Sequence, residues 1–364
     1  MHIQSLELDN YRNYESLKME FDPGTTILYG NNAQGKTNIL ESIYLSATTK
    51  SHRGSKDKEI IRFGCDACHI RVITTKNDIS HKIDMHLKPN KSKGVAIDGI
   101  PTRRSSDLLG ICNMVFFSPE DLTIIKNSPS ERRRFMDLEL CQLDKVYCHN
   151  FMKYNKILNQ RNALLKQIAF NTSLIDTLDI WDDQLVEYGC KVIEARISFI
   201  NQINDIIKDI HLKLTGGQEH IEVQYVMNVE PDAMKHELLE KRDKDLKYQT
   251  TQIGPHRDDL SFIVNGIDVK HFGSQGQQRT TALSLKLSEI ALVKKVVGEN
   301  PILLLDDVMS ELDANRRDYL LESIKDIQTI VTCTGYDDFI KKRMKINSIF
   351  KVVGGTVRKE TLPE

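Results

Sequence analysis

Apolar positions alternate through the first part of the chain, recur every three or four residues in its middle, and gather into short apolar runs near its end. Ile3, Leu6 and Leu8 begin one strand, and Leu17, Met19 and Phe21 alternate in the next. Asp22-Pro23-Gly24 is a turn, and Thr25-Thr26-Ile27-Leu28-Tyr29 a short apolar strand. A glycine-rich loop follows, then a helix with Ile39, Leu40, Ile43 and Ala47 on its apolar face. Strands are predicted near 67–76 and 79–88. Ile97-Asp98-Gly99-Ile100 and Val264-Asn265-Gly266-Ile267 predict hairpins, because Asp-Gly and Asn-Gly tolerate the positive φ of a type I′ turn.

From Glu131 to Leu214 there is no proline and little strand pattern. Ile193, Ile197, Ile200, Ile203, Ile207, Ile210 and Leu214 form a helical seam, and Phe135, Leu138, Tyr147, Phe151, Tyr154, Leu158, Leu165 and Ile168 supply a matching face. Asn171-Thr172-Ser173 is the break. The reading is two long helices packed as an arm, about 50 Å each at a rise of ~1.5 Å per residue. The plainer reading is the core of a helical subdomain. Pro301-Ile302-Leu303-Leu304-Leu305 and the run from Gln328 to Cys333 predict buried strands. The two ends of the chain therefore predict one α/β lobe, residues 1–120 and 250–364, with a helical arm, residues 121–249, inserted between them.

The chain has 364 residues, long enough for two domains. Lys and Arg number 50 against 51 Asp and Glu, which excludes a uniformly basic coat protein and leaves nucleic-acid contact to local patches. No apolar run approaches the roughly 20 residues of a membrane span, and the opening Met1–Ser5 lacks an export pattern, so no membrane partner and a cytosolic location are expected. Cys65-Asp66-Ala67-Cys68-His69 matches the haem-attachment pattern, but His69, Arg71 and Ile73 also alternate as strand positions. A turn with reduced thiols is the simpler reading.

Gly30-Asn31-Asn32-Ala33-Gln34-Gly35-Lys36-Thr37, followed by Asn38, fits G-x-x-x-x-G-K-T between a strand and a helix. In such a loop the backbone N–H groups face phosphates, Lys36 reaches the β- and γ-phosphates of ATP, and the Thr37 hydroxyl ligates Mg²⁺. Asp306, at the end of the 302–305 run, is a second candidate Mg²⁺ ligand, and Asp307 is placed to activate the attacking water. Two adjacent acids after a strand could equally cap a helix. No Asn-Lys-x-Asp base-reading motif of a GTPase is present.

His271 to Arg279, with Ser274, Gly276 and Gln277, precedes a helix predicted from about Gln277 to Val297 and resembles the signature motif of ABC-type ATPases. In that class the serine and the helix start bind the γ-phosphate held by the other subunit. Ser310-Glu311-Leu312-Asp313 looks like the D-loop of the same class. The fold class implied is α/β: an ABC-type P-loop ATPase lobe with a β-rich subdomain and an inserted helical arm domain.

Five further segments carry a closer resemblance: Leu8–Tyr14, Ser51-His52-Arg53, Phe116–Leu122, Arg132–Asp137 and Gly254–Asp259. With the ATPase motifs they make residues 1–353 similar to the RecF family, bacterial recombination mediators related to the SMC proteins, whose coiled coils are far longer. That resemblance implies a head-to-tail homodimer around two ATP molecules, slow DNA-stimulated hydrolysis, and binding to double-stranded and gapped or junction DNA. It implies action with RecO and RecR in loading RecA, and a part in replication restart. It also implies that Arg12 and Asn13 touch nucleotide, since the equivalent loop in SMC-like ATPases lies beside the base and α-phosphate.

Two departures from ABC ATPases predict slow hydrolysis: Asp307 stands where Glu is usual, and the 328–333 strand runs into Cys333-Thr334 where a switch His would sit. Ser118 or Glu120 occupies the Q-loop region. For DNA the candidates are Arg53 and Lys56 with Lys50, His52 and Lys58, then Arg103 and Arg104, then Arg132, Arg133 and Arg134. The last three could instead pair with acids at the root of the arm, such as Asp137 and Glu139. The alternative function is the nucleotide-binding subunit of a transporter, which should lack the long helical pair.

Overall fold

The computed structural model describes residues 1–335 and 345–361. It divides into two units, Met1–Leu122 with Lys286–Glu364, and Thr123–Leu285. The first begins with β1 (His2–Tyr11), β2 (Tyr14–Glu20), β3 (Thr25–Tyr29), α1 (Lys36–Thr48), α2 (Asp57–Ile60), β4 (Cys68–Lys76), β5 (Ile79–Leu87), β6 (Gly94–Ile97), β7 (Ile100–Pro101) and β8 (Met114–Phe117). An antiparallel sheet runs β2-β1-β4-β5-β6-β7. Leu6 pairs with Val72 and Leu8 with Ile70, so alternate residues of both strands share the buried face. Asp98 and Gly99 have φ of 54° and 82°, the type I′ hairpin the sequence predicts.

The second unit holds α3 (Pro129–Leu143), α4 (Lys145–Ile168), α5 (Leu178–Leu214), β9 (Ile221–Val226), α6 (Met234–Glu240), α7 (Arg242–Tyr248), β10 (Asp259–Val264), β11 (Ile267–Asp268), α8 (Val269–Phe272) and the start of α9 (Gln275–Val297). Helices α4 and α5 pack along each other as predicted, but the upstream helix is interrupted. Asp144 is extended at φ −133° and its carboxylate accepts the Val146 N–H, which caps a new helix. The buried stripe of α5 holds Ile193, Ile200, Ile203 and Ile207, and also Arg196 and His211. Arg196 is satisfied by Asp137 at 2.7 Å, Asp258 at 3.0 Å and the Pro255 carbonyl at 2.7 Å.

The inserted unit extends past residue 249, where the sequence pattern ended it. β10 pairs antiparallel with β9, Phe262 against Val223, and β9 packs on α5. Strand pairing and the Arg196 anchor thus hold 250–285 in the insertion. The pattern showed a hairpin at 264–267 but not the pairing of β10 with β9.

The chain then returns to the first unit with β12 (Ile302–Asp306), α10 (Ala314–Ser323), β13 (Thr329–Cys333), β14 (Ile346–Val353) and β15 (Thr356–Glu360). The second sheet runs β15-β14-β3-β13-β12-β8, parallel except for β15. α1 packs on strands of both sheets, which explains why Glu41, Ser42 and Ser46 are buried beside its apolar face. The loops after β3, β12 and β8 leave the carboxyl ends of parallel strands, where α/β folds place their ligands.

All seven cysteines are free thiols. His69 Nε2 lies 2.9 Å from Asp84 and its ring stacks on His86, and Cys68 and His69 are the first residues of β4. Among the described residues no helix is long and apolar enough to cross a membrane.

Candidate functional site

Gly30 and Gly35 bracket the loop between β3 and α1, with φ of 149° and 111°. A Cβ on Gly35 would lie 2.5 Å from Asn13 Nδ2 and 2.7 Å from the Tyr14 hydroxyl, so the 12–14 segment approaches the loop only because residue 35 is glycine. Asn13 donates to the Gln34 carbonyl at 3.0 Å and accepts from Asn38 at 2.8 Å. Lys36 reaches back over the loop, donating to the Gly30 and Asn31 carbonyls. Burial pulls its ammonium below the ordinary lysine value, opposed first by the charge of Asp307.

The Thr37 hydroxyl donates to Asp306 Oδ1 at 2.8 Å. Thr332, on the intervening strand β13, donates to the same oxygen at 2.7 Å and accepts the Asp307 N–H at 3.0 Å. Sequence reasoning passed over Thr332, looking for a histidine just beyond it. Its signal was a hydroxyl at the carboxyl end of a buried strand, level with Asp306. Asp307 has φ 54°. Burial raises its carboxyl above the ordinary value, and the charge of Asp306 adds to this. These groups, with Ser118, Glu120, His52 and Arg53, line a cleft of about 440 Å³, the size of a small-ligand site. Ser118 and Glu120, the two Q-loop candidates, both reach it.

A second hollow shares Asn38 with this cleft and is lined by Arg12, Asn13, Arg62 and Phe63. Phe63 is fully exposed. Arg12 borders the hollow, but its guanidinium is held by Glu41 at 2.8 Å, Ser55 at 2.7 Å and the Glu59 carbonyl at 2.8 Å. Burial alone would raise Glu41, yet the Arg12 and Ser51 hydrogen bonds win and hold its carboxyl below the ordinary value. Arg12 is therefore a brace for the loop as well as a wall of the hollow. Glu41 was missed because it lies inside a helix read only for its apolar face.

In the second unit Ser274 precedes α9 and caps it. Its N–H donates to Gln277 Oε1 at 3.0 Å, and its hydroxyl accepts the Gln277 N–H at 3.2 Å. This is a capping box, and the serine O–H remains available as a donor on an exposed helix start that includes Gly276.

The DNA candidates separate. Lys50, Lys56, Lys58, Arg103 and Arg104 are exposed. Arg53 is exposed too, and it lines the P-loop cleft, 3.4 Å from Asn38 Oδ1. The expectation for Arg132 is corrected. Its guanidinium is fully buried, paired with Asp259 at 2.6 and 2.8 Å and bonded to the Ile124 and Ile125 carbonyls. Arg133 is half-buried and donates to the Asp258 carbonyl, and Arg134 is also half-buried. The acid that Arg132 meets is Asp259, not Asp137 or Glu139. A local charge run could not show this, because the partner lies on β10.

Arg132→Ala is expected to lower stability by about 3–5 kcal/mol, since it leaves Asp259 without its partner, and to leave the salt slope of DNA binding unchanged. Burial alone would raise Asp259, but Arg132 overcomes it and holds the carboxyl low. The pair's contribution is therefore present above the unfolded value, about 3.9, and is lost as pH falls through the lower folded value. Denaturant unfolding and a salt titration on one preparation check both halves.

Residues 2–358 match the family described as RecF/RecN/SMC N terminal domain. With the P-loop, Asp306 and the parallel sheet, this defines the class, a P-loop ATPase head of the SMC kind. The DNA replication and repair protein RecF of Lachnospira eligens is 60% identical over 362 residues, covering 99% of this chain and 100% of that one. RecF of Lachnoclostridium phytofermentans is 58% identical over 359 residues, again 99% and 100%. The solved structure of the recombination mediator protein RecF-ATP in the RecFOR pathway has a TM-score of 0.92 at 36% identity, covering 99% of this chain and 97% of that one. The Smc head bound to the C-winged helix domain of ScpA shares the fold, with a TM-score of 0.58 at 17% identity over 100% of this chain and 98% of that one. The chain belongs to the RecF family.

Proposed function

We propose that this chain is an ATP-gated DNA-binding switch that mediates recombination in DNA replication and repair. ATP joins two copies head to tail, the dimer binds DNA at gaps and junctions, and slow hydrolysis stimulated by DNA releases it. With RecO and RecR it promotes RecA loading at gaps and supports replication restart. The observation that carries the reading is the meeting of Thr37, Asp306 and Thr332 at the mouth of the P-loop. The full-length likeness to RecF proteins supports it and disfavours the transporter alternative.

Thr37 and Asp306 fit Mg²⁺: a hydroxyl and a carboxylate are hard oxygen ligands, already 2.8 Å apart, and Mg²⁺ keeps waters and phosphate oxygens for its other positions. When bound, the ion would offset phosphate charge. The loop from Gly30 to Gly35 turns its N–H groups to the phosphates, and Lys36 exchanges the Gly30 and Asn31 carbonyls for phosphate oxygens. Asn13, Asn38 and Phe63 border the nucleoside. Asp307 takes the proton of the attacking water, and Thr332 fixes its backbone. Ser274 of the partner subunit, with the Gly276–Gln277 start of its α9, donates to the γ-phosphate. Asp307 is one methylene shorter than the usual Glu and no switch His follows Thr332, so turnover is slow.

The exposed Lys50, Lys56, Lys58, Arg103 and Arg104 supply phosphate contacts, and dimerisation doubles them. Capture on immobilised gapped duplex tests the reading. Retention should rise with ATP and fall steeply with salt, by about one unit of log–log slope per phosphate contacted. Equal retention with and without ATP contradicts the switch.

A further inference from the structure

We propose that Glu219 is a positioning residue for the signature loop and that, through His211, it ties that loop to the end of arm helix α5. The proposal rests on the reading of Ser274–Gln277 as the half-site offered to a second copy's ATP.

Hydrogen bonds and one close ionic contact assign the arrangement. Ser274 N–H needs an acceptor, so Gln277 presents Oε1 to it at 3.0 Å. That orientation turns Gln277 Nε2 the other way, onto Glu219 Oε1 at 2.9 Å. The second oxygen of Glu219 lies 3.3 Å from His211 Nε2, a close contact without hydrogen-bond geometry, so the hydrogen-bonded link between the two residues is the one through Thr215. His211 is fully buried in the last turn of α5, with Nδ1 2.8 Å from the Ser284 hydroxyl on α9. Ser284 in turn donates to the Thr280 carbonyl, and Thr280 to the Gly276 carbonyl. The link from α5 to Glu219 is itself fastened: Glu219 N–H donates to Thr215, whose hydroxyl donates to the His211 carbonyl at 2.8 Å. One path of side chains therefore joins the end of a 37-residue helix to the residue that orients the Ser274 backbone.

Helix capping does not require this path. The Ser274–Gln277 box is complete without Glu219, and water would serve Gln277 Nε2 at so exposed a helix start. What Glu219 adds is a fixed direction for Gln277. A shift of the α5 end moves His211, then Glu219, then the loop, so the arm and the trans nucleotide site are coupled mechanically.

The test uses the full chain with Glu219→Ala, Glu219→Gln and His211→Gln variants. Steady-state hydrolysis is measured against ATP concentration, and ATP affinity is measured separately on the monomer. Glu219→Ala should lower kcat about tenfold and leave monomer ATP affinity and the melting temperature unchanged. Glu219→Gln keeps a carbonyl acceptor for Gln277 Nε2 and should restore most of the rate. His211→Gln should slow wild type but add nothing in the Glu219→Ala background, the mark of a shared path. Wild-type kcat in Glu219→Ala, or loss of stability and ATP affinity together with kcat, overturns the proposal. Failure of the wild-type chain itself to dimerise with ATP overturns the underlying dimer reading instead, so the two failures are distinct.

Discussion

Lys36→Arg should lower ATP hydrolysis at least about 100-fold in a chain that still folds. Lys36 is a buried point charge whose Nζ bends back within the turn of the P-loop to the Gly30 and Asn31 carbonyls. A guanidinium keeps the positive charge, but it is planar and wider, with five donors in a fixed fork. It cannot occupy the space between those carbonyls and then turn to two phosphate oxygens as an ammonium does. Lys36 is the first residue of α1 and its charge faces the loop carbonyls, so thermal melting should fall far less than hydrolysis does. Steady-state hydrolysis and equilibrium ATP binding measure the effect. Unchanged values for both would remove Lys36 from the site.

Asp307→Asn is the second large effect. Hydrolysis should fall about 10²–10⁴-fold, the usual worth of a general base, while ATP binding persists and the ATP-bound dimer accumulates. Asn tolerates the left-handed φ of 54° at this position and keeps the N–H to Thr332, so the backbone is undisturbed. The pH profile separates loss of a base from loss of shape. Burial and the charge of Asp306 raise the Asp307 carboxyl, so as pH falls it takes up its proton earlier than an ordinary aspartate. Activity needs the unprotonated form. The acid limb of the wild-type kcat should therefore lie above the ordinary aspartate value, about 3.9, and disappear in the residual activity of the Asn variant.

What the sequence made legible was local. The P-loop declared itself because strand, glycine turn, Lys36 and helix are consecutive, and the two hairpins because Asp98-Gly99 and Asn265-Gly266 carry their own backbone requirement. The apolar run at 302–305 is legible because parallel strands are buried on both faces. What was hidden depended on partners far along the chain. Arg132 reads as one of three surface cations until β10 brings Asp259 to it, 127 residues away. Thr332 gains its role because β13 lies between β3 and β12, an order that no periodicity encodes. The end of the insertion moved from 249 to 285 for the same reason: β9 pairs with β10. Glu219 had no motif, and only the folded loop after α5 shows it beside Gln277.

The central claim is that each ATP is held by the P-loop of one copy and the signature loop of another. Mixing two impaired chains measures this most directly. Lys36→Arg retains an intact signature loop, and Ser274→Arg an intact P-loop. A mixed dimer then holds one complete site, formed from the P-loop of the second chain and Ser274 of the first. Each chain alone should hydrolyse ATP at background rate, with Ser274→Arg binding ATP yet sedimenting as a monomer. Their mixture should recover hydrolysis and sediment as a dimer with ATP. A mixture no more active than the sum of its parts, or wild-type hydrolysis by Ser274→Arg alone, would contradict the composite site.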